Sequence, residues 1–424
     1  MFAPQVALSR KLFISGAVLV LVLLAACAAP TAAPQATTAP AASASSAATS
    51  APAATTASQP YVINALLSLT GGGAFLGTEE KQSLDVYEKY INAKGGINGT
   101  PVHFVVQDDQ TDPKVGVQLA TDLIAKKVPV IIGPALTGVA LAVAALATNG
   151  PVIYTTTPGV KPAPNSYIYS TTPDTYSLIE ALLTYFRGKG WTKIAALTST
   201  DASGSDGLKG IQQKLALPEN SSLKLVDSEQ FDSSASSVSA QIAKIKDSGA
   251  QALIVWSTGT PATTAFKGIT QGGLNIPVAT TDGNETFAQM QQYKDFMPAE
   301  LYIGSPRFVA YDVMPPGPAK TAVGDFQAAF KAINVTPDFG QTPAWDAAAI
   351  VVEALKKTGL KTDAKQLRDA IDQIKGFEGV DGTYNLSPQD HRGLTIDSVY
   401  VARWDATKQN FVAVSSAGGA PLSK

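Results

Sequence analysis

Val62-Ile63-Asn64-Ala65-Leu66, then Gly71-Gly72-Gly73, then Thr78 to Ala93 closed by Lys94-Gly95-Gly96, is the stretch on which the reading of this chain turns. The first run, which follows Tyr61, is apolar with little alternation, the pattern of a strand buried on both faces. Leu84, Val86, Tyr87, Tyr90 and Ile91 then recur at helical spacing, and the glycines stop the helix. A buried strand, a glycine turn and an amphipathic helix make one βα unit.

Working outward, the unit repeats. Strand Val102 to Gln107 leads into Asp108-Asp109-Gln110-Thr111-Asp112-Pro113, where Asp112 is a natural N-cap and Pro113 a natural first helical residue. Strand Val128 to Ile132, Gly133-Pro134, a helix through Ala147 and strand Val152 to Tyr154 follow. After a break near Pro173, strands are expected at Ile194–Thr198, Leu223–Val226, Ala252–Trp256 and Val278–Thr280, with helices between them. Helices at 324–333, 344–357 and 364–374 and a hairpin-like pair at 398–403 and 411–414 complete the chain. Two such series predict an α/β protein of two doubly wound lobes with parallel sheets, ligands meeting the loops beyond the strand ends.

The first 60 residues have another character. Arg10-Lys11 precedes an uncharged run from Leu12 to Ala26, about 22 Å as a helix and short of the roughly 30 Å bilayer core. An export signal over residues 1–26 fits better than a membrane span. The single cysteine, Cys27, directly follows Leu24-Ala25-Ala26 and resembles the lipobox cysteine of bacterial lipoproteins, which implies acylation there. Residues 28–60 contain only Ala, Pro, Thr, Ser and Gln and cannot bury enough surface to offset ordering entropy, so residues 27–60 read as a lipidated tether. The expected location is the outer face of a bacterial cell membrane.

Composition excludes several functions. Thirty-two Lys+Arg against 34 Asp+Glu leave no cationic excess for a nucleic-acid partner. Removal of residues 1–26 takes Arg10 and Lys11 and shifts the formal charge from −2 to −4. One cysteine excludes a disulfide framework, and two histidines, His103 in an apolar strand and His391 in a polar loop, make a metal centre or catalytic triad improbable. No cofactor or metal is expected. Asp108-Asp109 reads as a turn, Tyr154 and Trp345 as core, and Gly71-Gly72-Gly73 lacks the spacing of a phosphate loop.

Several stretches resemble the type I periplasmic solute-binding proteins, especially their branched-chain amino acid subgroup. They are Gly77 to Gly99 with its Tyr90-Ile91-Asn92-Ala93-Lys94-Gly95-Gly96-Ile97-Asn98-Gly99 run, Asp108 to Pro113, Ile132-Gly133-Pro134 with Thr137-Gly138, and Ala240 to Lys246 with Gly249-Ala250. The resemblance implies lobes of residues 61–172 plus 306–385 and 173–305 plus 386–424, joined by a three-segment hinge near Thr172, Ser305 and Asn385. It implies an extracytoplasmic substrate-binding lipoprotein that delivers a small amino acid or related carboxylate to a permease and its ATPase subunits, working as a monomer and not as an enzyme. A ligand-sensing receptor of the same fold, coupled to a signalling membrane protein, is the alternative.

Residue by residue, the resemblance places the ligand carboxylate at Ala135, Leu136 and Thr137, with Thr155, Thr156 and Thr157 supplying further contacts. Asp282 is the matching acid for the ligand ammonium. Phe75 and Leu76 stand where the family often has an aromatic, and Ser203 where it has a tyrosine; Trp256 lies near a third such position. These departures imply a pocket wider or more polar than one built for leucine.

Overall fold

The computed structural model describes residues 59–422. The export segment, Cys27 and nearly all of the tether lie outside the described residues.

In the first lobe the βα units follow one another as β1 (Tyr61–Leu67), α1 (Ala74–Ala93), β2 (Val102–Asp108), α2 (Pro113–Ala125), β3 (Val130–Ile132), α3 (Thr137–Ala144), β4 (Val152–Thr155) and β5 (Ile168–Ser170). The five strands pair in parallel in the order β2-β1-β3-β4-β5. α1 begins four residues before the expected Thr78, so Phe75, Leu76 and Gly77 sit in its first turn. Gly77 permits this: an added Cβ would overlap the Ser68 backbone. Asp112 caps α2 by accepting the Lys114 N–H at 2.7 Å, with Pro113 in the first turn.

The second lobe runs α4 (Thr175–Lys189), β6 (Lys193–Ser199), α5 (Ala202–Leu215), β7 (Lys224–Phe231), α6 (Ser239–Asp247), β8 (Ala252–Trp256), α7 (Thr260–Gln271), β9 (Val278–Thr280), α8 (Phe287–Tyr293) and β10 (Leu301–Pro306). The chain returns to the first lobe for α9 (Pro318–Lys331), α10 (Thr342–Thr358), α11 (Ala364–Ile371) and the two-stranded β11 (Phe377–Glu378) and β12 (Thr383–Tyr384). It ends in the second lobe as β13 (Val399–Asp405) and β14 (Asn410–Ala413), which extend that sheet to seven strands in the order β14-β13-β10-β9-β8-β6-β7. β13 pairs antiparallel to β10 and β14, and the rest of this sheet is parallel.

Each lobe has its own core, one around β1, α1, α9 and α10, the other around α4, β6, β8 and α7. The chain passes between them at Thr171–Asp174, at Pro306–Arg307 and between Leu394 and Val399. The third passage lies beyond Asn385, where the resemblance put it, because Leu386 and Leu394 still pack into the first core. α4, α8, β5, β10 and the short β11 and β12 were not anticipated. α4 is buried along most of its length, so its stripe of apolar residues is too broad to show helical periodicity clearly.

Arg392, just before the third passage, is buried and its guanidinium donates to Ser170 Oγ at 2.9 Å and to the carbonyls of Thr172 and Val160. One side chain thus ties the first passage and the segment following β4 to the chain that enters the third passage.

Candidate functional site

The loops beyond the carboxyl ends of β3 and β4 face those beyond β6, β8 and β9 across the space between the lobes. After β3, Gly133 to Leu136 lead into α3, which starts at Thr137. The first N–H groups of an α-helix have no carbonyl partner within it, so those of Thr137, Gly138 and Val139 present positive partial charge. Thr137 Oγ1 lies 2.8 Å from Thr157 Oγ1, one hydroxyl donating to the other, while the Thr156 hydroxyl has no partner among the described residues.

Opposite, Asp201 caps α5 by accepting the Gly204 N–H at 2.8 Å, and Ser203 follows in the first turn. The loop after β9 supplies Asp282, which is fully buried. Its Oδ1 accepts from Thr281 Oγ1 at 2.6 Å and from the Gly283 N–H at 2.8 Å, and its Oδ2 has no partner. Burial pushes its pKa up to about 7, against the lowering influence of these bonds and of the Arg392 charge.

Leu76, Ala135, Leu136, Thr137, Thr156, Thr157, Ser203 and Asp282 line one inner cavity of about 30 Å³. At Leu136, Thr137, Ser203 and Thr258 it adjoins a wider mouth of about 230 Å³. Three expected residues are elsewhere. Thr155 Oγ1 donates to the Tyr169 carbonyl on β5 at 2.9 Å and faces the sheet. Trp256 is 1% exposed in the second core, with α5 so close that a Cβ on Gly207 would overlap its ring. Phe75 packs on the first core at the rim, 3.2 Å from where a Cβ on Gly259 would stand.

The structure adds Pro158, Thr258, Thr281, Gly283 and Phe339 to the inner wall. Phe339 closes it from the turn before α10, where Asp338 and Gln341 form a reciprocal capping box. The Asp-x-x-Gln spacing was the available signal for that turn. Asp338 also accepts the Phe287 N–H of the second lobe at 2.6 Å, and the Phe339 N–H donates to the Glu285 carbonyl at 3.3 Å. Lys161 of the first lobe and Asp206 of the second pair at 3.5 Å. The two lobes are therefore in contact around a nearly filled space.

Carboxyl groups are concentrated behind the cavity. Burial, reinforced by neighbouring acids, holds Glu80, Glu285 and Asp381 well above the usual carboxylate range. Among the described residues no group of three or more His, Cys, Asp or Glu is arranged to hold a metal. His391 lies in the expected polar loop, but its side chain turns inward: it is buried, stacked on Tyr169 at 4.2 Å, with Nε2 3.2 Å from Asp372. His103 is exposed and pairs with Glu88 at 3.1 Å. Neither histidine reaches the cavity.

A family model described as periplasmic binding protein matches residues 60–409. The chain belongs to the periplasmic binding protein family. A chemotactic signal transduction system substrate-binding protein, BasB, from Halobacterium salinarum is 36% identical over 89 residues, 20% of this chain and 22% of that protein. A Leu/Ile/Val-binding protein, BraC3, from Rhizobium johnstonii is 35% identical over 96 residues, 22% of this chain and 26% of that one. The alignment thus spans about a quarter of these relatives' length. The crystal structure of an extracellular ligand-binding receptor from Rhodopseudomonas palustris HaA2 superposes with a TM-score of 0.75 at 23% identity, covering 84% of this chain and all of that one. The two-lobed architecture is that of type I periplasmic binding proteins, which bind solutes and are not enzymes. Among the described residues of this family member no helix is long and apolar enough to cross a membrane.

Proposed function

We propose that this periplasmic binding protein captures an amino acid or a closely related small carboxylate between its lobes and delivers it to a membrane permease energised by ATPase subunits. The observation that carries the reading is the opposition of two complementary groups across one cavity. Free N–H groups and the Thr137 hydroxyl at the start of α3 suit a carboxylate, and the unpartnered Oδ2 of Asp282 suits an ammonium. A zwitterion touching both lobes favours the closed arrangement, because neither lobe alone satisfies both of its charges. The name of the Rhizobium relative supports the same ligand class.

The inner cavity alone has room for about two waters, so the lobes must part for entry. Ser203, where the resemblance expects a tyrosine, and Thr258 beside it make the second lobe's wall polar. The export segment, the acylated Cys27 and the tether complete the reading: a binding protein anchored outside the cytoplasm and held near its permease.

A thermal-shift screen over α-amino acids, aromatic acids, amides and urea tests it, since a ligand that binds only the folded state raises the melting temperature. At least one α-amino acid is expected to raise it. No shift with any α-amino acid overturns the zwitterion assignment.

A further inference from the structure

A second cavity lies wholly within the first lobe, between α1, α10 and the β11 hairpin, and shares no residue with either space of the cleft. Its volume is about 310 Å³, within the range of small-molecule pockets. Aromatic rings form its floor: Tyr87 meets Trp345 edge-on at 4.9 Å, and Tyr90 lies 5.1 Å from the same indole.

The polar groups around it sort into satisfied and unsatisfied ones. Asp325 accepts from Tyr90 Oη at 2.8 Å and pairs with Lys94, Glu353 pairs with Lys357 at 3.5 Å, and Glu378 pairs with Arg307 at 2.9 Å. Asp346 accepts from the Val380 and Asp381 N–H groups and from Tyr384 Oη. Every carboxylate at the wall therefore already has a partner. Three donors do not, among the described residues: the Tyr87 hydroxyl and Trp345 Nε1 on side chains only 4% and 5% exposed, and the ammonium of exposed Lys356 at the rim. The Tyr87 hydroxyl and Trp345 Nε1 keep contact with the cavity's solvent, so water satisfies them there and an acceptor on a ligand can take its place.

The wall is also held rigidly. Arg307 donates to the Gly379 carbonyl at 2.6 Å and to Thr383 Oγ1 at 2.9 Å, and Asp346 fixes the next two residues of the hairpin. Such a site loses little freedom when a ligand enters.

We propose that this cavity is a second ligand site, specific for a small flat molecule with an aromatic or otherwise apolar body and a carboxylate. The rings of Tyr87, Tyr90 and Trp345 take the body, and the Tyr87, Trp345 and Lys356 donors take the carboxylate.

The test follows the four tryptophan indole N–H signals of the ¹⁵N-labelled full chain by NMR while 4-fluorobenzoate is added. Trp345→Phe identifies its own signal by loss. The Trp345 signal should shift saturably, and Lys356→Gln, at an exposed position that does not threaten folding, should weaken binding roughly tenfold by removing a charge-assisted bond. Tyr87→Phe should weaken it as well. An unmoved Trp345 signal overturns the proposal. So does a titration indifferent to both Lys356→Gln and Tyr87→Phe.

Discussion

Ligand affinity should depend on pH through Asp282. Its carboxyl is fully buried, holds its proton up to about pH 7, and has one oxygen with no partner. An ammonium binds the ionised form, so protonation competes with the ligand. With a pKa of about 7, roughly one-tenth of the molecules carry ionised Asp282 at pH 6 and about nine-tenths at pH 8. Affinity for an α-amino acid should therefore be about tenfold tighter at pH 8 than at pH 6, close to 1.4 kcal/mol.

At pH 7 about half a proton should leave per ligand bound, in keeping with a group half-ionised at its pKa. Isothermal titration calorimetry at pH 6, 7 and 8, in buffers of different ionisation enthalpy, reads both quantities. Leucine is a suitable first probe. The sign for folding is opposite. A carboxyl whose folded pKa is raised binds its proton more tightly in the native state, so its contribution to stability declines as pH climbs from about 4 to about 7. Asp282→Asn should weaken binding and flatten the pH profile, because no proton is left to compete. An affinity independent of pH in the unsubstituted protein, or an unchanged slope in Asp282→Asn, would refute the assignment of the ammonium to this carboxyl.

Other consequences are also measurable. Gly259 adopts φ +67°, and a Cβ there would stand 2.9 Å from the Gly72 carbonyl oxygen of the opposite lobe. Gly259→Ala should lower affinity about tenfold through strain of about 1–2 kcal/mol, and titration calorimetry showing full affinity would count against lobe contact at this point. Trp256→Ala should cost about 3–5 kcal/mol in denaturant unfolding by opening a core cavity, while the folded fraction keeps its affinity. Loss of binding at unchanged stability would return Trp256 to the ligand site. Cys27→Ser should abolish detergent-phase partitioning of the protein expressed in a bacterial host, and continued partitioning would refute the lipid anchor.

The alternation of buried strands with amphipathic helices was legible because strand and helix periods differ and glycines punctuate them. The strands flanking the first lobe's ligand loops were read in place, and so was the Asp112-Pro113 start of α2. β10 escaped notice because Leu301 to Pro306 includes glycine, serine and proline, residues that weaken a strand signal. Thr137 and Asp282 were nominated by the resemblance, which matched them to the family's ligand contacts, and both lie in loops that follow strands of a parallel sheet.

Position along the chain does not settle where a side chain points. Thr155 and Thr156 are neighbours, yet one donates to the adjoining strand and the other opens on the cavity. Trp256 ends its strand beside the site but is held in the core by the close approach of α5 at Gly207. Phe339, more than fifty residues beyond Asp282 in the chain, reaches the same cavity only after the chain has crossed back between the lobes. Local sequence by itself determined the repeating units, their caps and the two-lobed class, because these rest on periodicity and on contacts within a few residues. The cavity, the raised pKa of Asp282 and the aromatic pocket of the first lobe were decided by tertiary structure. Burial and the pairing of distant groups exist only once the lobes have packed.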